Sequence, residues 1–201
     1  DFGDTRIIGI REALDNILGR FPSFRYSLKK GLFWCYLRRI EGTLKVQEDV
    51  RNPMVRINFN DNSHFMFRVR YFGRRIAVEF FHALTDGTGG LIFLMTLTGE
   101  YIRLKYGREI SYNEVVFDPK SQACEEEYRD AFQKYARKVG GLDNEPLAYQ
   151  PRGTAESSHI LNIITGIVPV DILKAKSREN GCTLTQFIVA MLIMTIQELQ
   201  E

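Results

Sequence analysis

The feature that most constrains the fold lies at residues 74 to 106. There a strand pattern runs into a glycine-rich turn and then into a helical pattern. The alternating residues of RRIAVEFF predict a strand. The segment FFHALTDGTGG follows, and apolar residues at helical spacing then predict a helix from about 88 to 106, which Gly107 ends. His82 has the parity of the aliphatic strand residues, so we expect it to continue their face. The pattern predicts an α/β protein with a polar hinge between strand and helix.

Other periodic segments in the first half predict further elements around this hinge. Apolar residues at helical spacing predict a helix over residues 10–20, before Pro22. SFRYSLKKGLFWCYLRR predicts two strands joined by a tight turn at Lys30-Gly31, and MVRINFN and HFMFRVRYFG predict two more. A hairpin turn at Gly73 joins the last of these to RRIAVEFF. Alternation in HFMFRVRYFG divides its residues between two faces: Phe65, Phe67, Val69 and Tyr71 on one, Arg68 and Arg70 on the other.

The second half of the chain differs in character from the first. CEEEYRDAFQKYARKV predicts a surface helix, and GGLDNEPLAYQPRGTAESS has the composition of a long connection. HILNIITGIVPV predicts a strand, DILKAKSRENG a helix capped by Asp171, and CTLTQFIVAMLIMTIQELQ an apolar helix capped by Thr183. We therefore expect a first subdomain over 1–117, a connecting segment over 118–158, and the start of a second subdomain over 159–201.

Composition argues against several classes of protein. A chain of 201 residues with 44% hydrophobic residues is long enough for one domain or a pair of small ones. Residues 1 to 117 hold 18 Lys and Arg against 13 Asp and Glu, and the remaining residues hold 9 against 12. This asymmetry favours a solvated charged surface over a site for an anionic ligand, and it falls short of a nucleic-acid-binding protein. The cysteines form no CxxC pair, and no apolar run approaches the roughly 18 residues of a membrane helix. We expect a cytoplasmic protein without a membrane span or a bound metal. The three cysteines are Cys35, Cys124 and Cys182.

The histidine, aspartate and glycines of HALTDG are the candidate site. A side chain between the end of a strand and the start of a helix is well placed for chemistry. The structural alternative makes His82 an edge histidine and Asp86 a helix N-cap. His64 and His159 offer no spacing for a third metal ligand, and the chain has no GxSxG, GxGxxG or GxxxxGK motif. Nucleophilic serine catalysis and phosphate cradling are therefore not indicated.

HALTDG resembles the HxxxDG motif of the CoA-dependent acyltransferase superfamily, which includes chloramphenicol acetyltransferase, alcohol O-acetyltransferases and the condensation domains of nonribosomal peptide synthetases. REALDNILGRFPSFRYSLKKG is similar to the early helix and strand of that family, and LKAKSRENGCTLTQFIVAMLI resembles its later helix pair. The three segments follow the family's order. The resemblance implies a chloramphenicol acetyltransferase-like α/β sandwich, in which helices 10–20 and 88–106 pack on a mixed, mostly antiparallel sheet.

The resemblance also implies an activity. His82 would act as the general base that deprotonates an alcohol or amine acceptor, which then attacks the thioester of acetyl-CoA or another acyl-CoA. Asp86 would pair with an arginine to hold the loop, and Arg25 is the expected partner, with Arg74 or Arg75 as alternatives. Gly87 would let the backbone turn where a Cβ would crowd the histidine.

Two departures from the family pattern bear on the assignment. Phe81 occupies the first histidine position of the HHxxxDG motif of condensation domains, which favours an alcohol acetyltransferase-like activity over peptide-bond formation. A condensation-type domain that acts on carrier-protein thioesters stays an alternative, and the choice between a CoA and a carrier-protein donor stays open. The later DFGWG-like motif is absent, so we expect a fragment that lacks the C-terminal half of the family fold. Such a fragment would expose the apolar face of its last helix and could self-associate. A non-catalytic interaction or substrate-holding domain of the same fold is the other alternative.

Overall fold

The structure is a computed structural model that describes residues 5–50, 55–60, 62–129, 132–136, 147–150, 152–154, 156–157 and 163–199. Its contacts divide the chain into two compact units, Asp1–Arg137 and Lys138–Glu201. The fold is mixed α/β, with two small sheets in which antiparallel pairing dominates. The predicted fold class is confirmed at this level, although the strands form two sheets rather than one.

The helices and strands of the first unit follow the order of the predicted segments. Short 3-10 turns at Pro22–Arg25 and Glu125–Glu127 connect some of them. The elements of this unit are α1 Thr5–Ile17, β1 Tyr26–Lys30, β2 Cys35–Arg39, β3 Gln47–Glu48, β4 Phe67–Phe72, β5 Arg75–Phe80, α2 Gly87–Tyr106 and α3 Phe132–Tyr135.

Both predicted hairpins are present. Strands β1 and β2 pair antiparallel from Tyr26 opposite Arg39 to Lys30 opposite Cys35. Strands β4 and β5 pair antiparallel, and the turn between them places Gly73 at a φ of 56°, a left-handed conformation that glycine adopts without strain. The short strand β3 pairs with β4 in parallel and was not predicted.

A cluster of aromatic rings joins the helices to the β4–β5 hairpin. The ring of Phe93 on α2 stacks on Phe24 with centroids 4.5 Å apart and meets Phe67 of β4 edge-on at 5.2 Å. The apolar face predicted for β4 is confirmed, because Phe65, Phe67 and Val69 are fully buried. This core fixes the end of β5 relative to the start of α2, which is where the candidate site lies.

The opposite face of β4 carries buried charge. Arg68 and Arg70 are 7% and 6% exposed. Arg68 Nε donates to Glu79 Oε2 at 2.8 Å, and Arg70 Nη1 lies 3.3 Å from Glu79 Oε1 and 3.9 Å from Asp49 Oδ1. Burial of these arginines is tolerated because each has a carboxylate partner.

The first unit extends beyond the predicted 1–117 subdomain. Arg20 Nη2 donates to Glu127 Oε1 at 2.8 Å, and Arg20 Nε donates to Ser121 Oγ at 2.9 Å. The Arg20 guanidinium also lies over the ring of Phe117, 4.1 Å from its centroid. Part of the predicted connecting segment therefore packs on α1 and its following turn. The predicted surface helix over 124–139 is wrong for the described residues, which form only the turn Glu125–Glu127 and the short helix α3.

The second unit contains two helices, α4 Val170–Glu179 and α5 Leu184–Glu198. Thr183 caps α5 through a reciprocal capping box with Gln186, as the cap prediction requires. Pro169, not Asp171, is the N-cap of α4, and Asp171 lies in its first turn. In the described ranges no single helix is long and apolar enough to cross a membrane; α4 and α5, bent by 83° at the break between them, meet that test only as a pair.

Two predicted strands are absent from the described residues. MVRINFN is irregular over 55–58 and turns at 59–60, and HILNIITGIVPV is irregular over 163–169. Met54 and residues 159–162 lie outside the described residues. Alternating apolar residues form a strand only where a neighbouring strand supplies hydrogen bonds and a packing face. Ile164 and Ile167 are 96% and 94% exposed, so these two side chains have no packing face among the described residues.

Candidate functional site

His82 lies in a turn between β5 and α2. Strand β5 ends at Phe80, and the backbone N–H of Phe81 donates to the Met66 carbonyl at 2.8 Å. The Leu84 N–H donates to the Phe81 carbonyl at 2.8 Å, which closes the turn around the histidine. His82 is exposed. The prediction that His82 continues the strand face is wrong, because the strand ends two residues earlier.

Asp86 caps the helix that follows. Its backbone is extended, with φ −84° and ψ −176°, and its Oδ1 accepts a hydrogen bond from the Gly89 N–H at 2.7 Å. The backbone carbonyl of Asp86 also accepts from Gly90 at 3.0 Å. These contacts match the alternative role foreseen for Asp86, in which the side chain satisfies an N–H of the first helical turn.

The expected arginine partner of Asp86 is not found. In the part of the chain that the structure describes, no ion pair within 4.0 Å joins Asp86 to Arg25, Arg74 or Arg75. Arg25 ends a 3-10 turn, and its carbonyl accepts from the Ile40 N–H at 2.9 Å. Arg75 pairs instead with Asp49. The helix cap already occupies one carboxylate oxygen of Asp86, so the loop is held without a guanidinium.

The glycines of DGTGG have different roles from those expected. A Cβ at Gly87 would meet no atom within 4 Å, so the predicted crowding at that residue is wrong. A Cβ at Gly89 would lie 2.2 Å from Thr85 Oγ1, and one at Gly90 would lie 3.1 Å from Cε2 of Phe80. The close approaches that favour glycine therefore occur at the second and third glycines, where the helix begins to pack on the turn and on β5.

Two cavities border the turn, and each is lined by one of the chain neighbours of His82. The strand-side cavity, of about 940 Å³, is bordered by Phe80 and Phe81 together with Ser27 and Lys29 of β1 and His64. The helix-side cavity, of about 790 Å³, is bordered by Ala83, Leu84 and Thr85 of the turn and by Phe24, Met66 and Glu127. His82 lines neither cavity; its two chain neighbours line one each. Both volumes lie in the range of small-molecule sites.

A charged pair lies at the wall of the helix-side cavity. Hydrogen bonds from Arg20 hold the pKa of Glu127 below its ordinary value, although burial opposes the shift. Both residues line the cavity, and Arg20 is 6% exposed. The Glu127 carboxylate is therefore ionised, and its charge is neutralised by that of Arg20 at this part of the cavity wall.

The described residues contain no cluster of three or more histidine, cysteine, aspartate or glutamate side chains that could hold a metal ion. His64 contacts Lys29, with its Nδ1 3.3 Å from Nζ, and His159 lies outside the described residues. Compared with known proteins, the chain matches no protein-family model and no curated sequence. The acyltransferase resemblance accordingly rests on the HxxxDG residues and on the order of the accompanying segments.

Proposed function

We propose that this protein transfers an acyl group from a CoA-type thioester to an alcohol or amine, with His82 as the general base. The observation that supports the proposal is the placement of His82: an exposed imidazole in a turn closed by backbone hydrogen bonds, anchored by the Asp86 cap, whose two chain neighbours each line a cavity. We also propose that the first unit is the N-terminal half of a chloramphenicol acetyltransferase-like sandwich.

The proposed reaction follows from the chemistry of an imidazole. The neutral ring accepts the proton of the acceptor hydroxyl or amine, and the acceptor atom attacks the thioester carbonyl. The tetrahedral intermediate then breaks its C–S bond, and the departing thiolate takes the proton from the imidazolium. A positioned general base of this kind contributes about 10²–10⁴-fold in rate.

The two cavities suit the two substrates of such a reaction. A donor in one cavity and an acceptor in the other would each lie against a chain neighbour of His82, namely Phe81 or Ala83. Phe81 borders the strand-side cavity, and its ring packs edge-on against Phe59 with centroids 5.6 Å apart. The position before His82 is therefore occupied by an apolar ring, and the proposal assigns the proton transfer to His82 alone.

The proposal is tested by thiol release in the protein at its full natural length. Acetyl-CoA is combined with a panel of alcohols and amines, and free CoA is followed with a thiol reagent. We expect His82→Ala to lower acceptor-dependent release by about 10²–10⁴-fold. Thr88→Ala is the control, because Thr88 is exposed beside the turn and lines neither cavity.

Each outcome of this assay has a definite meaning. Full activity in His82→Ala would rule out general-base catalysis by this residue. Absence of release with every acceptor, from acetyl-CoA and from an acetylated pantetheine carrier alike, would favour the non-catalytic domain. Release from the carrier alone would favour a condensation-type activity over the CoA-dependent one.

A further inference from the structure

The strand-side cavity combines apolar walls with an excess of positive charge. Its apolar wall includes Leu28, Ile57, Phe59, Phe80 and Phe81. The lining also contains three basic side chains, Lys29, Lys30 and Arg56. Apolar walls with a few convergent polar groups are typical of sites for small organic molecules.

The acidic side chain of the cavity does not balance these cations. Glu79 lines the cavity, but its carboxylate accepts hydrogen bonds from Arg68 and lies 3.3 Å from Arg70 Nη1. Glu79 is thus neutralised by two arginines of β4. Among the described residues, Lys29, Lys30 and Arg56 form no ion pair within 4.0 Å, and their charges favour a negative ligand in the cavity.

Two residues that line the cavity, Ser27 and Lys29, have unused hydrogen-bond donors. Ser27 is 1% exposed, and its buried Oγ has no hydrogen-bond partner among the described residues. Lys29 Nζ lies 3.3 Å from His64 Nδ1; an ammonium can only donate, so this contact uses one of its three protons. A buried hydroxyl without a hydrogen-bond partner destabilises the protein, and a ligand that accepts its hydrogen bond removes this cost.

We infer that the strand-side cavity binds a small organic anion, a carboxylate or phosphate attached to an apolar chain. The anionic oxygens accept hydrogen bonds from the Ser27 hydroxyl and the Lys29 ammonium, and the chain packs against the Phe80 and Phe81 rings. The inference goes beyond acyl transfer and holds whether or not His82 performs chemistry, because it concerns binding alone.

Calorimetric titration with three matched probes tests the inference. Octanoate, octyl phosphate and neutral octanol each contain eight carbon atoms and differ chiefly in the head group. We expect at least one of the anions to bind about tenfold or more tightly than octanol, the difference that charge-assisted hydrogen bonds provide. Comparison of octanoate with octyl phosphate identifies the preferred head group. Equal affinity for all three probes, or no binding of either anion, would overturn the inference.

Variants locate the site. Lys29→Met should weaken anion binding about tenfold and leave octanol unchanged. Lys174→Met, an exposed lysine of α4, is the matched control and should change nothing. Ser27→Ala removes a hydroxyl that has no hydrogen-bond partner in the described part of the chain, so folding should persist while anion affinity falls by several-fold. Unchanged anion affinity in both Lys29→Met and Ser27→Ala would contradict the inference. Failure of the proposed function is distinguishable from this result, because His82→Ala is tested by thiol release and the cavity by anion binding.

Discussion

The carboxylate of Asp86 lies 2.7 Å from the backbone nitrogen of Gly89 and accepts its hydrogen bond, so the residue four positions after His82 starts helix α2. This contact links the candidate base to the aromatic core, because α2 carries Phe93 into the cluster with Phe24 and Phe67. A change at Asp86 therefore acts on the placement of the turn and on the stability of the helix together.

Asp86→Ala should lower the free energy of unfolding by about 1 kcal/mol, the usual effect of removing an N-cap side chain. Asp86→Ser should recover most of that loss, because a serine hydroxyl also accepts from the first-turn N–H groups. Urea unfolding followed by circular dichroism measures both. The Arg25→Gln variant distinguishes the cap from an ion pair. If Arg25→Gln destabilised the protein as much as Asp86→Ala, and the variant with both changes were no less stable than either alone, Asp86 would be paired with Arg25 after all.

The glycines after Asp86 should respond differently to alanine. Gly87→Ala should stabilise the protein by about 0.4–1 kcal/mol, because its Cβ has open space and the unfolded chain loses freedom. Gly89→Ala should give a protein about 1 kcal/mol less stable than Gly87→Ala does. The added Cβ would lie 2.2 Å from Thr85 Oγ1, so the Thr85 side chain must adopt another rotamer.

The double variant Thr85→Ala/Gly89→Ala provides the control for this comparison. Removal of the Thr85 hydroxyl should recover the stability that the protein loses in Gly89→Ala. Thermal unfolding of the wild type, the two single variants and the double variant measures this recovery. A destabilising Gly87→Ala that matches Gly89→Ala would instead support the original expectation of crowding at the first glycine.

The parts of the fold that sequence reasoning predicted depend on neighbours along the chain. The end of α2 at Gly107 was predicted because glycine adopts the left-handed φ of 62° without strain, and the Thr183 cap because a threonine can bond the backbone three residues on. The buried face of β4 followed from alternation of apolar residues such as Phe65 and Phe67.

The parts that were missed depend on residues far apart in the chain. MVRINFN has a strand pattern but no strand partner over its described residues, and no local pattern marks the two-residue parallel strand β3. The crowding at Gly89 comes from the orientation of the Thr85 side chain, and the cavity beside Ser27 is lined by residues as distant in the chain as Phe80 and Phe81. Spacing alone carries no information about such contacts.

Glu100 should make the stability of the first unit sensitive to acid. The hydrogen bond from Arg103 lowers the pKa of Glu100, burial opposes this, and the Asn16 amide at 2.7 Å adds to it. The carboxyl group of Glu100 therefore binds a proton less readily in the folded state than in the unfolded state, where its pKa has the ordinary value of 4.5. The stabilisation is complete above that pH and is lost as the pH falls through the lower pKa of the folded state.

Glu100→Gln should lower the free energy of unfolding at pH 7 by about 1–3 kcal/mol, since the hydrogen bonds to an ionised carboxylate are weakened. The variant should also lose less stability than the wild type between pH 7 and pH 3.5. Urea unfolding at several pH values measures both effects, and Glu41→Gln, at an exposed position, is the control. An unchanged pH dependence in Glu100→Gln would mean that this carboxylate does not contribute to acid sensitivity.

The Arg20–Glu127 pair should hold residues 118–129 on the first unit. A double-variant cycle with Arg20→Ala and Glu127→Ala should give a coupling energy of about 1–3 kcal/mol, because Arg20 is buried and makes several contacts. The Arg129–Glu125 pair, 3.4 Å apart with both side chains mostly exposed, should give less than about 1 kcal/mol. Equal coupling in the two pairs would show that burial of Arg20 adds nothing.

His82→Ala should leave the free energy of unfolding within about 0.5 kcal/mol of the wild type, because the side chain is exposed and lies outside the aromatic core. The same variant should lower acyl transfer in the thiol-release assay by about 10²–10⁴-fold. Asp86→Ala should instead lower stability and activity together, since it loosens the turn that carries the imidazole. Unfolding curves and release rates measured on the same preparations separate a reacting group from a positioning one. Loss of stability in His82→Ala equal to that in Asp86→Ala would assign His82 a structural role and remove the main support for catalysis at this turn.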